Sequence, residues 1–504
     1  MKKEIIFPDF FPVACHTDRV GPGSVFVVIH GMKDDGVRHI PLALQKGART
    51  IVIGQEVVLN HETTALINQS GATIERVEDT RLDLARRAAQ ALNFPASRLK
   101  IIGITGTKGK TTTAFLTEHM LKTAGYKTAL ISTVENHILS KTFPAPLTTP
   151  QPDYIHVFLD LCVRAGVEWV VMETSAQAFT LHRVHGILFD AALFTNFSQE
   201  HAEFYKTNDD YFAAKQAIFA HLKPHAALLL NADDSRVAAL VGLHKNTFLF
   251  DATGTHAANL KAHLEVSSLA GITGRLRYAP RAQERAKLDA VQTPKPEEAC
   301  EEKYAITAPA LMGDFNLANI SAVALCGHLL GISQKDIIDA MRTFTGVPGR
   351  LNRYALPGNV TAFIDYAHTP SSFEAVLGTL RQLTDHLIVV FGAGGERDPI
   401  KRPQMGAIAS RLADMVILTT DNPRSENPAT ITQDILAGIA PDSLSKVIIE
   451  PDRERAIKKA YTGARSGSVI ALLGKGPDEY QLIAGVKTYF SERKILEQLM
   501  YTGL

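Results

Sequence analysis

A segment that combines glycine, lysine and threonine follows an apolar run near residue 100. Residues 101–113 read Ile-Ile-Gly-Ile-Thr-Gly-Thr-Lys-Gly-Lys-Thr-Thr-Thr, and a helical stretch comes next. Gly106 and Gly109 allow backbone N–H groups to approach phosphate oxygens, and the helix offers its positive N-terminal end. Lys110 can reach the β- and γ-phosphates of a nucleotide, while the Thr111 hydroxyl can bind Mg²⁺. The segment therefore predicts a phosphate-binding loop.

The spacing of this loop differs from that of the common P-loop. The common pattern, G-x-x-x-x-G-K-[ST], requires a glycine five residues before Gly109, where this chain has Ile104. The sequence instead fits T-G-T-x-G-K-T-T, with Lys108 at the variable position. An ordinary turn between a strand and a helix is the alternative interpretation, and the Gly-Lys-Thr core after a strand disfavours it.

Length and composition limit the class of protein. A chain of 504 residues is too long for one core and predicts about three domains. Hydrophobic residues make up 45% and charged residues 21%, as in soluble globular proteins. The net charge of +1 provides no strong field for nucleic acid or an anionic membrane, so we expect neither as a partner.

The cysteines and the apolar runs indicate the compartment. The four cysteines are Cys15, Cys162, Cys300 and Cys326. They lack C-x-x-C spacing, which favours reduced thiols over disulfides or a zinc site. The first residues lack the apolar region of a signal peptide, and no apolar run reaches about 18 residues. We therefore expect a cytoplasmic protein without a membrane span. We also expect a monomer.

Strand-like apolar runs alternate with helical stretches along most of the chain. The predicted strands include residues 24–29, 50–53, 100–104, 128–131, 167–172, 191–194, 226–230, 386–391, 415–419, 446–449 and 468–473. Amphipathic segments such as 153–165 and 401–413 lie between them. This alternation predicts α/β domains with mainly parallel sheets.

We predict three domains. Residues 1–97 form a small α/β domain, residues 98–343 a central domain similar to P-loop ATPases, and residues 344–504 a Rossmann-like α/β domain. Residues 253–303 interrupt the alternation because they are polar, charged and rich in turns. A β-hairpin with an exposed loop and a disordered insertion both fit them. Glycine and proline within residues 344–350 predict a hinge.

Polar residues gather at the ends of several predicted strands, where α/β proteins place ligands. Glu173 could hold a metal ion there, or be a surface acid. Lys215 lies among apolar residues on a helix, so it is either a snorkelling lysine or a semi-buried functional amine. Asp365 and His368 predict a nucleotide contact, and Arg397 beside a glycine-rich turn suits an anion. These turns fall in two domains, which predicts one composite site at an interface.

Together these motifs resemble the Mur ligase family. The resemblance is carried by Gly106–Thr112, Leu147–Pro150, Asp365–Pro370, Arg397 with Asp398 and Lys401–Pro403, and Asp421–Arg424. The motifs occur in the order of the family and extend over nearly the whole chain. They resemble most the MurE-type branch, the UDP-N-acetylmuramoyl-L-alanyl-D-glutamate ligases that add the third peptide residue of peptidoglycan.

The resemblance implies an ATP-dependent amide ligase with three α/β domains. The N-terminal domain would bind the UDP-linked substrate, the central domain ATP, and the C-terminal domain the incoming amino acid. ATP would phosphorylate the side-chain carboxylate of D-glutamate in the substrate. The amine of a diamino acid would then attack the acyl phosphate, with Mg²⁺ and cationic side chains controlling the charge.

The resemblance also implies roles for individual residues. The residues expected to bind ATP are Gly106, Thr107, Gly109, Lys110, Thr111, Thr112, Asn316, Asn319, Arg350, Asp365 and His368. The residues expected to hold Mg²⁺ are Thr111, Glu173, His201 and Lys215, the last after CO₂ has carboxylated its amine; Lys110, Glu173, His201 and Lys215 are the expected catalytic residues. Those expected to bind the UDP-linked substrate are Thr148, Thr149, Ser175 and Arg183. Those expected to bind the amino acid are Arg397, Asp421, Asn422, Arg424, Gly474 and Asp478.

Arg424 indicates which amino acid is added. In the branch that this sequence resembles, Asp-Asn-Pro-Arg accompanies meso-diaminopimelate, whose distal carboxylate needs a guanidinium partner. Arginine pairs with a carboxylate through two parallel hydrogen bonds, which gives the selectivity. L-Lysine has no distal carboxylate, and the same reaction with L-lysine or another amino acid is the alternative.

Several positions depart from the family pattern and keep other functions open. Lys108 stands where the family usually has asparagine, and Ser371 where it has aspartate. Ala176 and Gln177 replace the usual serine and histidine. Residues 474–478 read Gly-Lys-Gly-Pro-Asp, whereas the family usually has Gly-Lys-Gly-His-Glu. The alternatives are a sister ligase of the folylpolyglutamate or cyanophycin type, a nucleotide-binding scaffold without catalysis, and a plain P-loop kinase. The Asp421–Arg424 motif argues against a sister ligase. The retained Lys110, Glu173 and Lys215 argue against a scaffold.

Overall fold

The computed structural model describes residues 5–31, 35–199, 204–280 and 301–502. These residues divide into two compact units. The first contains the described residues of 1–264, 274–306 and 317–341, and the second those of 265–273, 307–316 and 342–504. The boundary predicted at residue 97 lies inside the first unit, and the three-domain division stays a prediction. None of the helices in these ranges is long and apolar enough to cross a bilayer.

The first unit begins with a small parallel sheet. Its strands, in spatial order, are β1 (Val13–Ala14), β2 (Val25–Val27), β3 (Thr50–Gly54) and β4 (Thr73–Val77). The helices of this segment are α1 (Ile40–Gln45), α2 (His61–Ser70) and α3 (Thr80–Ala91). Its apolar side chains, such as Phe26 and Ile53, belong to the same hydrophobic cluster as residues of the following sheet, such as Ile101.

A larger sheet follows. Its strands are β5 (Lys100–Thr105), β6 (Thr128–Ile131), β7 (Glu135–Ile138), β8 (Lys141–Pro144), β9 (Trp169–Glu173), β10 (Phe189–Phe194), β11 (Leu222–Asn231), β12 (Thr247–Asp251), β13 (Leu260–Ser268), β14 (Gly271–Tyr278) and β15 (Glu302–Ala308). Their spatial order is β15-β14-β13-β12-β11-β10-β5-β9-β6-β7-β8. Neighbours from β13 to β6 in this order are parallel, whereas β6, β7 and β8 are antiparallel.

Helices alternate with these strands. They are α4 (Lys110–Thr123), α5 (Pro152–Ala165), α6 (Ala176–Thr180), α7 (Asn208–Gln216), α8 (Ser235–Ala238), α9 (Phe315–Leu329) and α10 (Gln334–Thr343). The hairpin predicted within residues 253–303 is confirmed, because β13 and β14 are neighbours joined by two residues. Residues 281–300 lie outside the described ranges.

The second unit contains a six-stranded sheet and a separate hairpin. The strands of the sheet, in spatial order, are β16 (Asn352–Leu356), β17 (Val360–Asp365), β21 (Val469–Leu473), β18 (Leu387–Phe391), β19 (Met415–Leu418) and β20 (Val447–Ile449). Strand β16 is antiparallel to β17, and the other neighbours are parallel. The hairpin pairs β22 (Tyr480–Ile483) with β23 (Val486–Tyr489). The helices are α11 (Pro370–Arg381), α12 (Lys401–Leu412), α13 (Pro428–Leu436), α14 (Arg453–Thr462) and α15 (Glu492–Thr502).

Short 3₁₀ helices complete the described elements. They are Thr17–Arg19, Gly36–His39, Pro95–Arg98, Ala217–His221 and Pro441–Lys446. The α/β fold with mainly parallel sheets is thus as predicted. Its central strands are nearly all apolar because helices cover both faces of a parallel sheet. Parallel strands also bring their carboxyl ends to one edge of each sheet, and the turns at this edge carry most of the predicted site residues.

An ion-pair cluster ties the helix after the phosphate loop to the antiparallel strands. His137 on β7 lies 2.9 Å from Glu118 of α4 through Nδ1 and 2.9 Å from Glu135 through Nε2. Lys122 Nζ lies 2.8 Å from Glu118 Oε1. Burial alone would lower the pKa of His137, but its hydrogen bonds to the two carboxylates outweigh burial and raise it from 6.5 to about 9.

Because the pKa of His137 is raised in the folded state, the free energy of unfolding should depend on pH. A histidine with a higher pKa in the folded state stabilises the fold fully below its unfolded pKa, and this contribution is lost as pH rises through the folded value. We therefore expect the free energy of unfolding to fall by about 1–3 kcal/mol between pH 6.5 and pH 9. Urea denaturation at both pH values measures it. His137→Gln should remove this fall and His225→Gln, at an exposed position, should keep it; an unchanged fall in His137→Gln contradicts the assignment.

Candidate active site

The two glycines of the phosphate loop lie where no side chain fits. The loop connects β5, at the centre of the parallel strands, to α4. Gly106 has a φ of +139°, and a Cβ atom there would stand 2.0 Å from Thr195 Oγ1. Gly109 has a φ of +82°, and its Cβ would stand 2.5 Å from Asn319 Oδ1. Close approach of neighbouring segments and left-handed backbone therefore both require glycine.

Two lysines converge on one carbonyl oxygen of this loop. Lys110 Nζ donates to the carbonyl oxygens of Gly106 at 2.9 Å and Thr107 at 2.8 Å. Lys215 Nζ, on α7, donates to the same Gly106 oxygen at 2.6 Å and lies 4.5 Å from the centre of the Tyr211 ring. Lys215 is only 1% exposed. Two ammonium groups thus lie side by side at the loop predicted to bind phosphates.

A buried carboxylate also contacts the loop. Glu173, the last residue of β9, is 0% exposed. Its Oε2 accepts hydrogen bonds from the hydroxyls of Thr111 and Thr133, both at 3.1 Å, and its Oε1 accepts from the Thr133 backbone N–H at 2.9 Å. Thr133 follows β6, the strand next to β9, and our sequence analysis did not single it out. Carboxylate and hydroxyl oxygens are the ligands that Mg²⁺ prefers, so this cluster fits the ion.

The residues expected to bind the UDP-linked substrate continue from this cluster. The hydroxyl oxygens of Thr148 and Thr133 lie 3.1 Å apart, and Thr148 is the donor because the Thr133 hydrogen is given to Glu173. Thr149 Oγ1 donates to the Glu173 carbonyl at 2.9 Å and accepts from the Ser175 backbone N–H at 3.0 Å. Arg183 Nη1 donates to the Thr149 carbonyl at 3.0 Å. Burial lowers the pKa of Arg183.

Asn196 fixes the phosphate loop at its variable position, a role that the sequence did not assign to it. The Lys108 backbone N–H donates to Asn196 Oδ1 at 2.8 Å, and the Lys108 carbonyl accepts from Asn196 Nδ2 at 3.1 Å. Thr195 Oγ1 donates to the same carbonyl at 2.6 Å. These hydrogen bonds involve the backbone N–H and carbonyl of residue 108 and not its side chain. They fix the loop conformation whichever residue stands there, which explains how lysine can replace asparagine.

Four further residues predicted to bind ATP or Mg²⁺ are placed as follows. Thr112 lies in the first turn of α4. Asn319 Oδ1, beside Gly109, accepts from Thr113 Oγ1 at 3.1 Å. Asn316 Nδ2 donates to the Met312 carbonyl at 2.7 Å. His201 lies outside the described residues, so its predicted role as a Mg²⁺ ligand stays a prediction.

In the second unit, a polar turn follows β17. Asp365 is buried and accepts from the backbone N–H groups of Leu351 at 2.8 Å and Ala367 at 2.7 Å. Burial raises the pKa of Asp365, although the nearby Arg350 guanidinium opposes this. His368 Nδ1 lies 2.7 Å from the carbonyl oxygen of Tyr366, and the residue is exposed to solvent.

Arg350 lies beside this turn. Its guanidinium carbon is 5.2 Å from the centre of the Tyr366 ring, within the range of a cation–π contact. The side chains of Arg350, Asp365 and His368, which the resemblance assigns to nucleotide binding, therefore lie at one strand end.

The turns after β18, β19 and β21 bring together the residues assigned to the amino acid. These strands are neighbours, so their carboxyl ends are adjacent. Gly474, with a φ of +104°, passes so close to Asp421 that a Cβ atom would stand 2.7 Å from Asp421 Oδ2. Asp478 lies four residues further on, and burial raises the pKa of its carboxyl group.

Two guanidinium-bearing residues lie against the glycine-rich turn after β18. Arg424 has a φ of +55°, and its Nη1 donates to the Gly395 carbonyl. A Cβ atom on Gly394 would stand 3.2 Å from Arg424 Nη1 and 3.6 Å from Arg397 Cγ. Arg397 itself is exposed. An anionic group at this turn would therefore meet two arginines.

Comparison with known proteins identifies the family. The Mur ligase middle domain matches residues 104–327, and the glutamate ligase domain of Mur ligases matches residues 349–476. The chain is 34% identical over 485 residues to the UDP-N-acetylmuramoyl-L-alanyl-D-glutamate–2,6-diaminopimelate ligase of Clostridium perfringens, covering 96% of this chain and 93% of that one. The enzyme of the same name from Thermosynechococcus vestitus is 36% identical, with 94% and 89% covered.

Solved structures agree. A structure of a UDP-N-acetylmuramoyl-L-alanyl-D-glutamate–2,6-diaminopimelate ligase superposes with a TM-score of 0.62 at 26% identity, covering 98% of this chain and 95% of that one. The similarity covers at least 94% of this chain and 89% of each of these three proteins. This chain belongs to the Mur ligase family.

Proposed function

We propose that this chain is an ATP-dependent ligase that joins meso-2,6-diaminopimelate to the D-glutamate of UDP-N-acetylmuramoyl-L-alanyl-D-glutamate. One observation carries the proposal: Lys110 and Lys215 converge on the Gly106 carbonyl, while the buried Glu173 carboxylate binds the Thr111 hydroxyl of the same loop. This pairing of cations with an oxygen-rich site is what phosphoryl transfer to a carboxylate requires. The names of the relatives, of which this chain covers 93% and 89%, support the choice of substrates.

In this proposal the phosphate loop positions ATP. Backbone N–H groups from Gly106 to Thr112 and the N-terminus of α4 would hold the phosphates, and Lys110 would exchange its loop carbonyls for phosphate oxygens. Thr111 and Glu173, with His201 and carboxylated Lys215, would hold Mg²⁺. When bound, Mg²⁺ would neutralise charge on the phosphoryl group during transfer to the substrate carboxylate.

We further propose that Lys215 is carboxylated on its amine. The ammonium group first loses a proton; the neutral amine then forms an N–C bond to CO₂ and releases a second proton, so a cation becomes a carbamate anion. The change would replace one of two neighbouring ammonium groups with an anion that Lys110 can pair with. The complete burial of Lys215 in the first unit, next to the phosphate loop, supports this role.

The second unit would bind the amino acid. Diaminopimelate carries a carboxylate at each end. Arg424 and Arg397, which both lie beside the glycine-rich turn after β18, offer guanidinium groups to one of them. Asp421, Asn422 and Asp478 would serve its ammonium and second carboxylate groups. ATP and a UDP-linked precursor as substrates fit the cytoplasmic monomer expected from the sequence, which size-exclusion chromatography would test.

A substrate panel tests the proposal. We expect phosphate release only when ATP, Mg²⁺, the UDP-linked dipeptide and a diamino acid are all present. With meso-diaminopimelate, L-lysine and L-ornithine compared, kcat/KM should be highest for meso-diaminopimelate by about 100-fold, the value of a paired carboxylate. Phosphate release and mass spectrometry of the product measure the outcome.

Matched variants connect the panel to Arg424. Arg424→Gln should reduce the preference for meso-diaminopimelate, whereas Arg411→Gln, which removes an exposed ion pair with Glu374 in the same unit, should not. A preference for L-lysine in the wild type would refute the role of Arg424. ATP binding without turnover of any amino acid would favour a non-catalytic scaffold.

A further inference from the structure

One lysine of the second unit is buried against the segment proposed to bind the amino acid. Lys475 follows β21 and is 0% exposed. Its Nζ lies 3.5 Å from Asp421 Oδ1 and 3.3 Å from Asn422 Oδ1. The rings of Tyr480 and Phe490 lie 5.7 and 5.8 Å from the same nitrogen. Because burial of an ammonium group is costly without polar partners, this lysine is tied to Asp421 and Asn422.

The Lys475 ammonium determines how the Asn422 amide is oriented. Asn422 Oδ1 accepts from Lys475 Nζ and also from the Leu482 backbone N–H, which is 3.0 Å away. Both partners are donors only, so the amide oxygen must face them and the amide nitrogen must point to the opposite side. The Asn422 nitrogen is thereby directed as a donor, the role needed to bind a carboxylate.

The same ammonium holds the Asp421 carboxylate. Oδ1 of Asp421 faces Lys475, and Oδ2 occupies space that only a glycine at position 474 leaves open. Burial lowers the pKa of Lys475, and the Asp421 carboxylate acts in the opposite direction, which favours the charged pair. The carboxylate is therefore held in one orientation between Lys475 and Gly474.

The other end of this segment is held by different contacts. The Arg424 backbone N–H donates to the Leu482 carbonyl at 3.0 Å, and the Arg424 carbonyl accepts from the Ala484 N–H at 2.6 Å. These backbone bonds to the β22–β23 hairpin do not involve Lys475. Removal of the Lys475 ammonium should therefore disturb Asp421 and Asn422 while leaving Arg424 in place.

We propose that Lys475 is a positioning residue for the incoming amino acid. Without touching the substrate, it holds Asp421 and Asn422 in the orientation in which they bind the amino acid's ammonium and carboxylate groups. The inference rests on the proposed function, because it takes the 421–424 segment as the amino-acid site. It extends that function by adding a buried residue that controls KM for the amino acid.

Steady-state kinetics of Lys475→Met test this role. We expect KM for the amino acid to rise on the order of 10- to 100-fold, the loss of hydrogen bonds to a charged group, with KM for ATP and for the UDP-linked substrate nearly unchanged. Lys487→Met is the matched control. Lys487 is exposed and lies 3.9 Å from the same Tyr480 ring, so its loss removes a lysine from that ring but leaves Asp421 and Asn422 paired. Its three KM values should equal those of the wild type.

Two results would overturn the proposal: an unchanged KM for the amino acid in Lys475→Met, or an equal rise in all three KM values. If Lys475→Met does not fold, Asp421→Asn with Lys475→Met buries no unpaired charge and gives the comparison. With Asn422→Ala also present, its KM for the amino acid should equal that of Asp421→Asn with Asn422→Ala, because the lysine acts through these two side chains, and a further tenfold rise would refute the role. A wild type inactive with every amino acid would refute the proposed function instead, and calorimetric binding of the amino acid to the same variants would then decide the role of Lys475.

Discussion

Lys215→Ala should lower kcat on the order of 10³-fold while leaving the protein folded. Lys215 Nζ lies 2.6 Å from the Gly106 carbonyl, the oxygen that Lys110 also contacts, and its side chain is shielded from solvent. If this amine is carboxylated, it supplies a negatively charged metal ligand at the place where phosphoryl charge develops. Alanine supplies neither charge nor ligand. Phosphate release at saturating substrates measures the loss.

Controls for Lys215→Ala separate chemistry from folding. Lys223→Ala removes a lysine of the same unit that pairs with Asp190 at 2.8 Å, near the start of β10 and away from the phosphate loop, and should keep near wild-type kcat. Wild-type protein depleted of CO₂ should lose activity and regain it with bicarbonate, and mass spectrometry should detect the added CO₂. Full activity of Lys215→Ala would exclude any essential role of this side chain. Full activity of the CO₂-depleted wild type would exclude carboxylation but leave another role of the Lys215 amine open.

Apolar patterning predicted the sheets because central parallel strands are buried on both faces. The runs 100–104, 128–131 and 415–419 correspond to β5, β6 and β19, and the amphipathic stretch 153–165 to α5. Strands β7 and β8 are different, since they contain polar residues and lie at the edge of the sheet. Their antiparallel pairing depends on contacts between strands, which the local sequence does not encode.

The structure decides between the two interpretations of Lys215 and of Glu173. A snorkelling lysine keeps its ammonium group in water, and a surface acid keeps its carboxylate there. Lys215 and Glu173 are both buried and hydrogen-bonded to the phosphate loop, so both of the surface interpretations are wrong. Sequence could not show this, because burial of a polar residue depends on which segments cover it.

The functional residues to which the sequence assigned no role have a structural position in common rather than a motif. Thr133 and Asn196 follow β6 and β10, the strands next to β9 and β5, and each contacts the phosphate loop or Glu173. Lys475 belongs to a motif that was noticed, yet its role depends on the rings and carboxylate around it. Knowing the strand order would have pointed to all three, since each lies just beyond the carboxyl end of a parallel strand.

Glu173→Gln is expected to have the second large effect. Glutamine has nearly the same shape, and its amide oxygen can still accept from the hydroxyls of Thr111 and Thr133. Its amide nitrogen cannot accept the hydrogen bond that Glu173 Oε1 receives from the Thr133 backbone N–H, so a thermal melt should first establish that the variant is folded. The negative charge is lost, however, and with it the proposed charged ligand for Mg²⁺. We expect kcat to fall about 10²- to 10³-fold and half-maximal activity to require at least about tenfold more Mg²⁺. A Mg²⁺ titration of phosphate release measures both.

The control for Glu173→Gln is a glutamate at the opposite end of the same strand, β9. Glu168 precedes β9, is exposed, and accepts from the Lys127 backbone N–H at 3.0 Å. Glu168→Gln removes an equal charge from the same unit, so a long-range electrostatic effect would appear in both variants, whereas a ligand effect appears only at Glu173. Calorimetric titration with Mg²⁺ and ATP should show weakened binding for Glu173→Gln alone. An unchanged Mg²⁺ requirement in Glu173→Gln would show that Glu173 is not a ligand in the proposed metal site. Its role would then be structural, through its hydrogen bonds to Thr111 of the phosphate loop and to Thr133 after β6.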